Sequence, residues 1–273
     1  MNYRLIALDM DGTLLDSNHE ISPRTAAALQ EVAAQGTEIV FCTGRTPVNS
    51  IPYMEQLGLH EEGYVIVHNG AATVHTGTRE VIHQFPLDTA ALDNYMNYCR
   101  QYHIHFDINT AFEIYVDSPQ NMQAAAQEMY AKFQSFELQP QLLPAWTELS
   151  APVLKLSAFA AAEQLDKAYA QWNLWTPEFN ILRSGEFFID LMHPDASKGG
   201  ALKALAESRG IAPTEIMAIG NYYNDLSMMQ YAGLGIAVDN SPLEVKAAAD
   251  EITRSNDDDG VYHMLKKYAG VTC

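Results

Sequence analysis

Two carboxylates, Asp9 and Asp11, flank a single residue in "LDMDGT", directly after the apolar run "YRLIAL". If that run is a strand, side-chain alternation sends both carboxylates to the same side, a few ångströms apart. Two ionised carboxylates at that spacing repel unless a proton or a cation intervenes. The pair therefore points to an aspartate nucleophile beside an aspartate acid–base, sharing a Mg2+ ion, in preference to a polar turn closed by Gly12. An EF-hand loop is excluded. Its sixth position needs glycine, and Leu14 stands there.

Four further stretches carry chemistry at the ends of apolar runs or at the start of a helix. In "CTGRT", Gly44 permits close backbone approach, and the Thr43 hydroxyl with nearby N–H groups can hold phosphate oxygens. The Walker A spacing is absent. Arg45, next in line, suits a contact with the substrate's phosphate or leaving group, or a structural ion pair. In "HNGA", Asn69-Gly70 makes a good turn and an equally good reader of hydroxyls. "DASKGGAL" places Ser197 as a helix N-cap and Lys198 in the first turn, where the helix dipole opposes a cation. An anion bound there, aided by the same dipole, explains the lysine best. "AIGNYYNDL" gathers Asn221, Asn224 and Asp225 at a strand-to-helix turn. That turn is either punctuation or one wall of a metal site, with Asn221 where a carboxylate would serve better. The signals converge on phosphoryl transfer through an aspartyl-phosphate.

The elements that must position these residues are legible in outline. "YRLIAL", "TEIVFC" and "YVIV" are near-continuous apolar runs, as in strands buried on both faces of a parallel sheet. "SPRTAAALQEVAAQG" reads as a helix capped by Ser22, with Pro23 at its first position and Gly36 as its stop. A helix-like segment interrupted at Pro52 follows, then a hairpin around Gly77. From about Leu87 the pattern changes. Polar-faced helices such as "PQNMQAAAQEMYAKFQSF" alternate with period-two strands "HIHFDI" and "FEIYVD", which predicts a sheet with one solvated face. The buried strand–helix rhythm returns after Pro194. The expectation is an α/β core of residues 1–85 and 187–273 around an inserted α+β domain of residues 86–186. A parallel sheet in that core would put its chemistry at the carboxyl ends of the strands.

Composition bounds the partners. A chain of 273 residues with 48% hydrophobic and 10% aromatic residues suits a packed globular protein. A formal net charge of −18, with no basic block, argues against nucleic acid and anionic membrane. No apolar run approaches a membrane span, and the first residues lack a signal-peptide layout. Cys42, Cys99 and Cys273 are widely spaced and fit reduced thiols in the cytoplasm.

In order along the chain, "LDMDGTLL", "CTGR", "SKG" and "IGNYYND" resemble the motifs of the haloacid dehalogenase superfamily, specifically its Cof-type phosphatases with a large inserted type-2 cap. The tail "AGLGIAVDNSPLEVKAAADEITRSNDDDGV" is similar as well. The resemblance implies a Rossmann-like core with a parallel sheet and an α+β cap domain. It implies a Mg2+-dependent phosphatase acting on a small phosphorylated metabolite, such as a sugar phosphate. Asp9 would be the nucleophile and Asp11 the general acid–base. Thr43, Lys198, Asn224 and the Met10 and Gly44 backbones would bind the phosphoryl group, with Arg45 and Asn69 toward the substrate. The metal would be held by Asp9, the Asp11 carbonyl and Asn221, with Asp225 orienting its water. The family usually carries aspartate where this chain has Asn221, so the wall would hold a neutral ligand. A phosphomutase on the same scaffold and a non-catalytic sugar-phosphate sensor remain open as alternatives.

Overall fold

The structure, a computed structural model, describes residues 3–117, 140–175 and 179–271. The helix expected over "PQNMQAAAQEMYAKFQSF" lies outside them, as does Cys273. In chain order, β1 (Leu5–Leu8), α1 (Pro23–Ala34), β2 (Glu38–Cys42), α2 (Ile51–Gln56) and β3 (Tyr64–Val67) alternate before β4 (Ala72–His75) and β5 (Val81–Gln84). Next come α3 (Thr89–Gln101), β6 (His105–Asn109), β7 (Ile114–Val116), β8 (Gln141–Leu142), β9 (Lys155–Phe159) and α4 (Ala162–Trp172). The hairpin β10 (Asn180–Gly185) and β11 (Phe188–Met192) follows. The chain then runs through α5 (Lys198–Ser208), β12 (Ile216–Gly220), α6 (Leu226–Tyr231), β13 (Leu234–Ala237), α7 (Leu243–Ala248), β14 (Glu251–Ile252) and α8 (Gly260–Tyr268).

Two compact units result. One comprises the chain up to Arg45, Ser50–His83 and the chain from Ser197 on; the other comprises Thr46–Asn49 and Gln84–Ala196. In the first, the sheet order is β14-β13-β12-β1-β2-β3-β4-β5. β1 lies parallel between β12 and β2, the parallel run extends from β14 to β3, and β4 lies antiparallel to β3. Every residue of β1 is fully buried, as a strand covered on both faces must be. Leu5, Ala7, Val40 and Ile66 pack on Ala201, Leu202 and Leu205 of α5. α1 starts where the Ser22 hydroxyl accepts from the Thr25 N–H at 3.1 Å, and it buries Ala28, Leu29 and Val32. Removing Leu29 from water stabilises the fold by about 1.5–3 kcal/mol. Because β1, β2, β3 and β12 run parallel, the residues after each strand emerge along one edge of the sheet.

The second unit holds a six-stranded sheet, ordered β10-β11-β9-β6-β7-β8. Phe106, Ile108, Leu156, Ala158, Ile189 and Leu191 pack with Leu92, Tyr95 and Met96 of α3 and with Leu165 and Trp172 of α4. Alternation puts Asp107, Asn109, Lys155, Ser157 and Asp190 on the opposite face. The sequence predicts that face to be solvated, and the structure corrects this: Asp107, Lys155 and Asp190 are 8%, 7% and 3% exposed. Mutual pairing makes their burial tolerable. The Ser157 hydroxyl donates to Asp190 at 2.6 Å, Lys155 Nζ lies 3.7 Å from the same oxygen, and Asn109 donates to Asp107 at 2.5 Å.

Two other expectations change. The boundary placed between residues 186 and 187 falls in the turn of the β10–β11 hairpin, whose second strand pairs with β9, so the unit ends at Ala196. Pro52 does not interrupt a helix. It sits in the first turn of α2, where its missing N–H would have no intrahelical partner. Cys42 and Cys99 are buried free thiols, and burial pushes both up from the usual thiol range. Among the described residues no helix is long and apolar enough to cross a membrane.

Candidate active site

Asp9 follows β1 directly and is 5% exposed, with its N–H bonded to the Ile219 carbonyl of β12 at 3.0 Å. Lys198, in the first turn of α5, reaches it: Nζ lies 2.7 Å from Asp9 Oδ1 and 2.6 Å from Asp225 Oδ1. The lysine side chain is wholly buried, which alone would favour its neutral form. The two carboxylates overcome that and raise it above the ordinary lysine range. For Asp9 the balance runs the other way. Burial and then the neighbouring Asp225 push its carboxyl up to about 7 against the pull of Lys198. Gly199 lets α5 approach: a Cβ there would collide with the Ser227 carbonyl.

Asp225 has both oxygens engaged. Besides Lys198, it accepts the Asn221 and Tyr222 backbone N–H groups at 2.8 and 3.0 Å on Oδ2. It thus closes the turn after β12 and fixes the lysine. These bonds use three of about four acceptor sites on the carboxylate, so they are compatible with its expected place beside the metal, orienting its water.

Asp11 shares the sheet edge but turns elsewhere. Arg45 Nε donates to its Oδ2 at 2.8 Å and Nη2 to its Oδ1 at 2.6 Å, a bidentate pair. Burial works to raise the Asp11 carboxyl, but the Arg45 guanidinium prevails and holds it below the usual carboxylate range. Arg45 was a candidate substrate contact from sequence. Here its fork lies on Asp11.

Thr43 and Gly44, after β2, lie against the end of β3. The Asn69 N–H donates to the Thr43 carbonyl at 2.9 Å, and a Cβ on Gly44 would stand 3.0 Å from Asn69 Oδ1. Asn69 has φ 56°, a left-handed conformation that asparagine tolerates better than most residues. Its Oδ1 accepts from Asn224 Nδ2 at 3.0 Å, tying the third strand end to the turn at 221–225. Asn224 Oδ1 is buried without a partner. Met10 is fully buried, and its carbonyl accepts from Leu14 and Leu15 at 3.1 and 2.9 Å, curling the chain after β1.

The donors suit a hard cation. Asp9 Oδ2 is buried and has no hydrogen-bond partner, an arrangement that calls for a positive ion or a proton. The Asn221 side chain packs against Gly12, next to Asp11: a methyl group on Gly12 would run into its amide nitrogen, and Gly12 has φ +75°. A carboxylate oxygen, a backbone carbonyl and an amide oxygen form an all-oxygen set of the kind Mg2+ accepts. Among the described residues no three His, Cys, Asp or Glu side chains form a metal cage.

Sequence reasoning missed Asn240 and Asn256. Asn240 Nδ2 donates to the Gly12 carbonyl at 2.8 Å, and Asn256 N–H donates to Asn240 Oδ1 at 3.1 Å. Both occur in ordinary turn sequences, "VDNSP" and "RSNDDDG", with no spacing that marks them.

A family model described as haloacid dehalogenase-like hydrolase matches residues 6–265. YxeH of Bacillus subtilis, named as a candidate phosphatase, is 34% identical over 271 residues, spanning 96% of this chain and 97% of that protein. YwpJ of the same bacterium, named a phosphatase, is 30% identical over 295 residues, spanning 96% and 99%. The crystal structure of a haloacid dehalogenase-like hydrolase from Bacteroides thetaiotaomicron is similar with a TM-score of 0.84 at 28% identity, over 97% of this chain and 99% of that one.

Proposed function

We propose that this protein, which belongs to the haloacid dehalogenase-like hydrolase family and is a phosphoric monoester hydrolase, cleaves a small phosphorylated metabolite through an aspartyl-phosphate on Asp9. The observation that carries the mechanism is the buried Asp9 carboxylate, with one oxygen on Lys198 and the other without a partner. Asp9, the Asp11 carbonyl and Asn221 would hold Mg2+, whose charge offsets the cost of an ionised Asp9 and polarises the phosphoryl group.

Asp9 attacks phosphorus in line. An Asp9 oxygen–phosphorus bond forms as the bond to the leaving oxygen breaks, and Asp11 gives that oxygen a proton. In the second half Asp11 takes a proton from water, whose oxygen attacks phosphorus. The Asp9–phosphorus bond breaks, inorganic phosphate leaves, and both carboxyls return to their starting states. Lys198, the Thr43 hydroxyl, the Met10 and Gly44 N–H groups and Asn224 would hold the phosphoryl oxygens and stabilise the charge that develops on them. The Arg45 pair favours the ionised form of Asp11, which serves the second half directly. In the first half the carboxyl must take up a proton within the same fork.

The test is phosphate release from a panel of phosphorylated metabolites, with Mg2+ and with a chelator, for wild type and Asp9→Asn. Mg2+-dependent release is expected, reduced at least about a thousandfold in the variant. Near wild-type turnover by folded Asp9→Asn, free of contaminating phosphatase, would remove Asp9 as the nucleophile.

A further inference from the structure

Arg45 is anchored on every side. Its backbone N–H donates to the Thr43 hydroxyl at 3.1 Å, and its carbonyl accepts from the His68 N–H at 3.0 Å. Its side chain is 9% exposed, whereas that of Asp11 is 47% exposed. Tyr53 stands behind the guanidinium, with its hydroxyl 3.5 Å from Nη1 and its ring centroid 5.4 Å from Cζ. The same hydroxyl donates to the His19 carbonyl at 3.0 Å, so it is itself fixed. His19 Nδ1 also approaches Asp11 Oδ1, at 3.5 Å, from an exposed position.

We infer that Arg45 is a positioning residue: its fork, held by Tyr53, fixes the carboxyl of Asp11 where proton transfer needs it. The inference rests on the acid–base reading of Asp11 given above. An aspartate on an exposed turn samples several rotamers, and proton transfer requires it within hydrogen-bond reach of the reacting oxygen. A planar fork on both oxygens selects one orientation, which a lysine's point charge cannot do. Direct binding of the phosphoryl group by Arg45 is the competing role, and the two differ in what they predict.

A positioning role couples Arg45 to the leaving group. An alkyl phosphate has a poor leaving group and needs the proton from Asp11; 4-nitrophenyl phosphate departs as a stable anion and needs it far less. In the full-length protein with Mg2+, Arg45→Gln should lower kcat/KM for an alkyl phosphate by about 10- to 100-fold. The loss on 4-nitrophenyl phosphate should be at least about tenfold smaller. Arg45→Lys should show the same selectivity, and Tyr53→Phe a weaker form of it. In an Asp11→Asn background, Arg45→Gln should add almost nothing, because the group it positions is gone. Equal losses on both phosphates, or an Arg45→Gln effect of full size in the Asp11→Asn background, would overturn the inference in favour of direct binding. If Asp11→Asn shows the leaving-group-selective loss and Arg45→Gln does not, only the inference about Arg45 falls. If Asp11→Asn itself spares the alkyl phosphate, the acid–base reading falls and takes the inference with it.

Discussion

At the scale of single residues, the neutral amide of Asn221 sets the charge of the proposed metal wall. A carboxylate there would add Coulomb attraction for a divalent ion that an amide oxygen lacks. It would also add a negative charge near the incoming phosphate, but that group is farther away than the ion, so metal affinity dominates. Asn221→Asp is nearly isosteric and keeps the packing against Gly12. The variant should bind Mg2+ roughly tenfold more tightly, equivalent to a gain of ~1.4 kcal/mol. Calorimetric titration of both proteins in the same salt measures this directly. Unchanged or weaker binding by the aspartate variant would place Asn221 outside the metal's ligands. The positions of Asp9, Asp11 and Thr43 after strands and of Lys198 at a helix start were legible from sequence, because the neighbouring apolar runs and the Ser197 cap announce them. The commitment of Asp225 to Lys198 was not legible, since nothing local reveals which oxygens a distant lysine will occupy.

Among the elements, the loop after β1 carries the proposed acid–base Asp11, and the chain's last turns strap it down. Ser17 donates to Asp257 through its N–H at 2.7 Å and its hydroxyl at 2.6 Å, and Asn256 Nδ2 donates to the Leu15 carbonyl at 2.9 Å. With Asn240 on Gly12, these bonds hold Gly12–Ser17 at three points. Asn240→Ala deletes one of them and leaves Asn256 N–H without its acceptor. Stability should fall by about 1 kcal/mol in denaturant unfolding. Turnover should fall more than the population of folded protein does, because Gly12 adjoins Asp11. A variant that loses stability but keeps kcat would show that the strap is structural only. β1, α1 and α5 were readable from apolar runs and caps. The strap was not, because its partners lie 228 to 241 residues apart and its Asn, Asp and Ser residues look like turn punctuation.

For the whole molecule, two compact units imply separable tasks. Asp9, Asp11, Lys198 and Asn221 all belong to the first unit, so deleting residues 84–196 and joining His83 to Ser197 should leave a soluble core. That core should lose discrimination among phosphorylated metabolites more than basal hydrolysis of an aryl phosphate. A soluble deletion protein that keeps the full-length substrate ranking would place specificity in the first unit. Alternation showed which residues of the second sheet share a face, but not that the polar face would be buried, because burial depends on what packs there. The central claim is covalent turnover at Asp9, and borohydride trapping of the full-length protein during steady-state hydrolysis tests it most directly. Reduction of an acyl phosphate turns its aspartate into homoserine, which peptide mass analysis locates. Homoserine should appear at position 9, only when both substrate and Mg2+ are present, and it should increase in Asp11→Asn if loss of the base slows hydrolysis of the intermediate. An unmodified Asp9 under full turnover, or homoserine at Asp11 or Asp225 instead, would contradict the account.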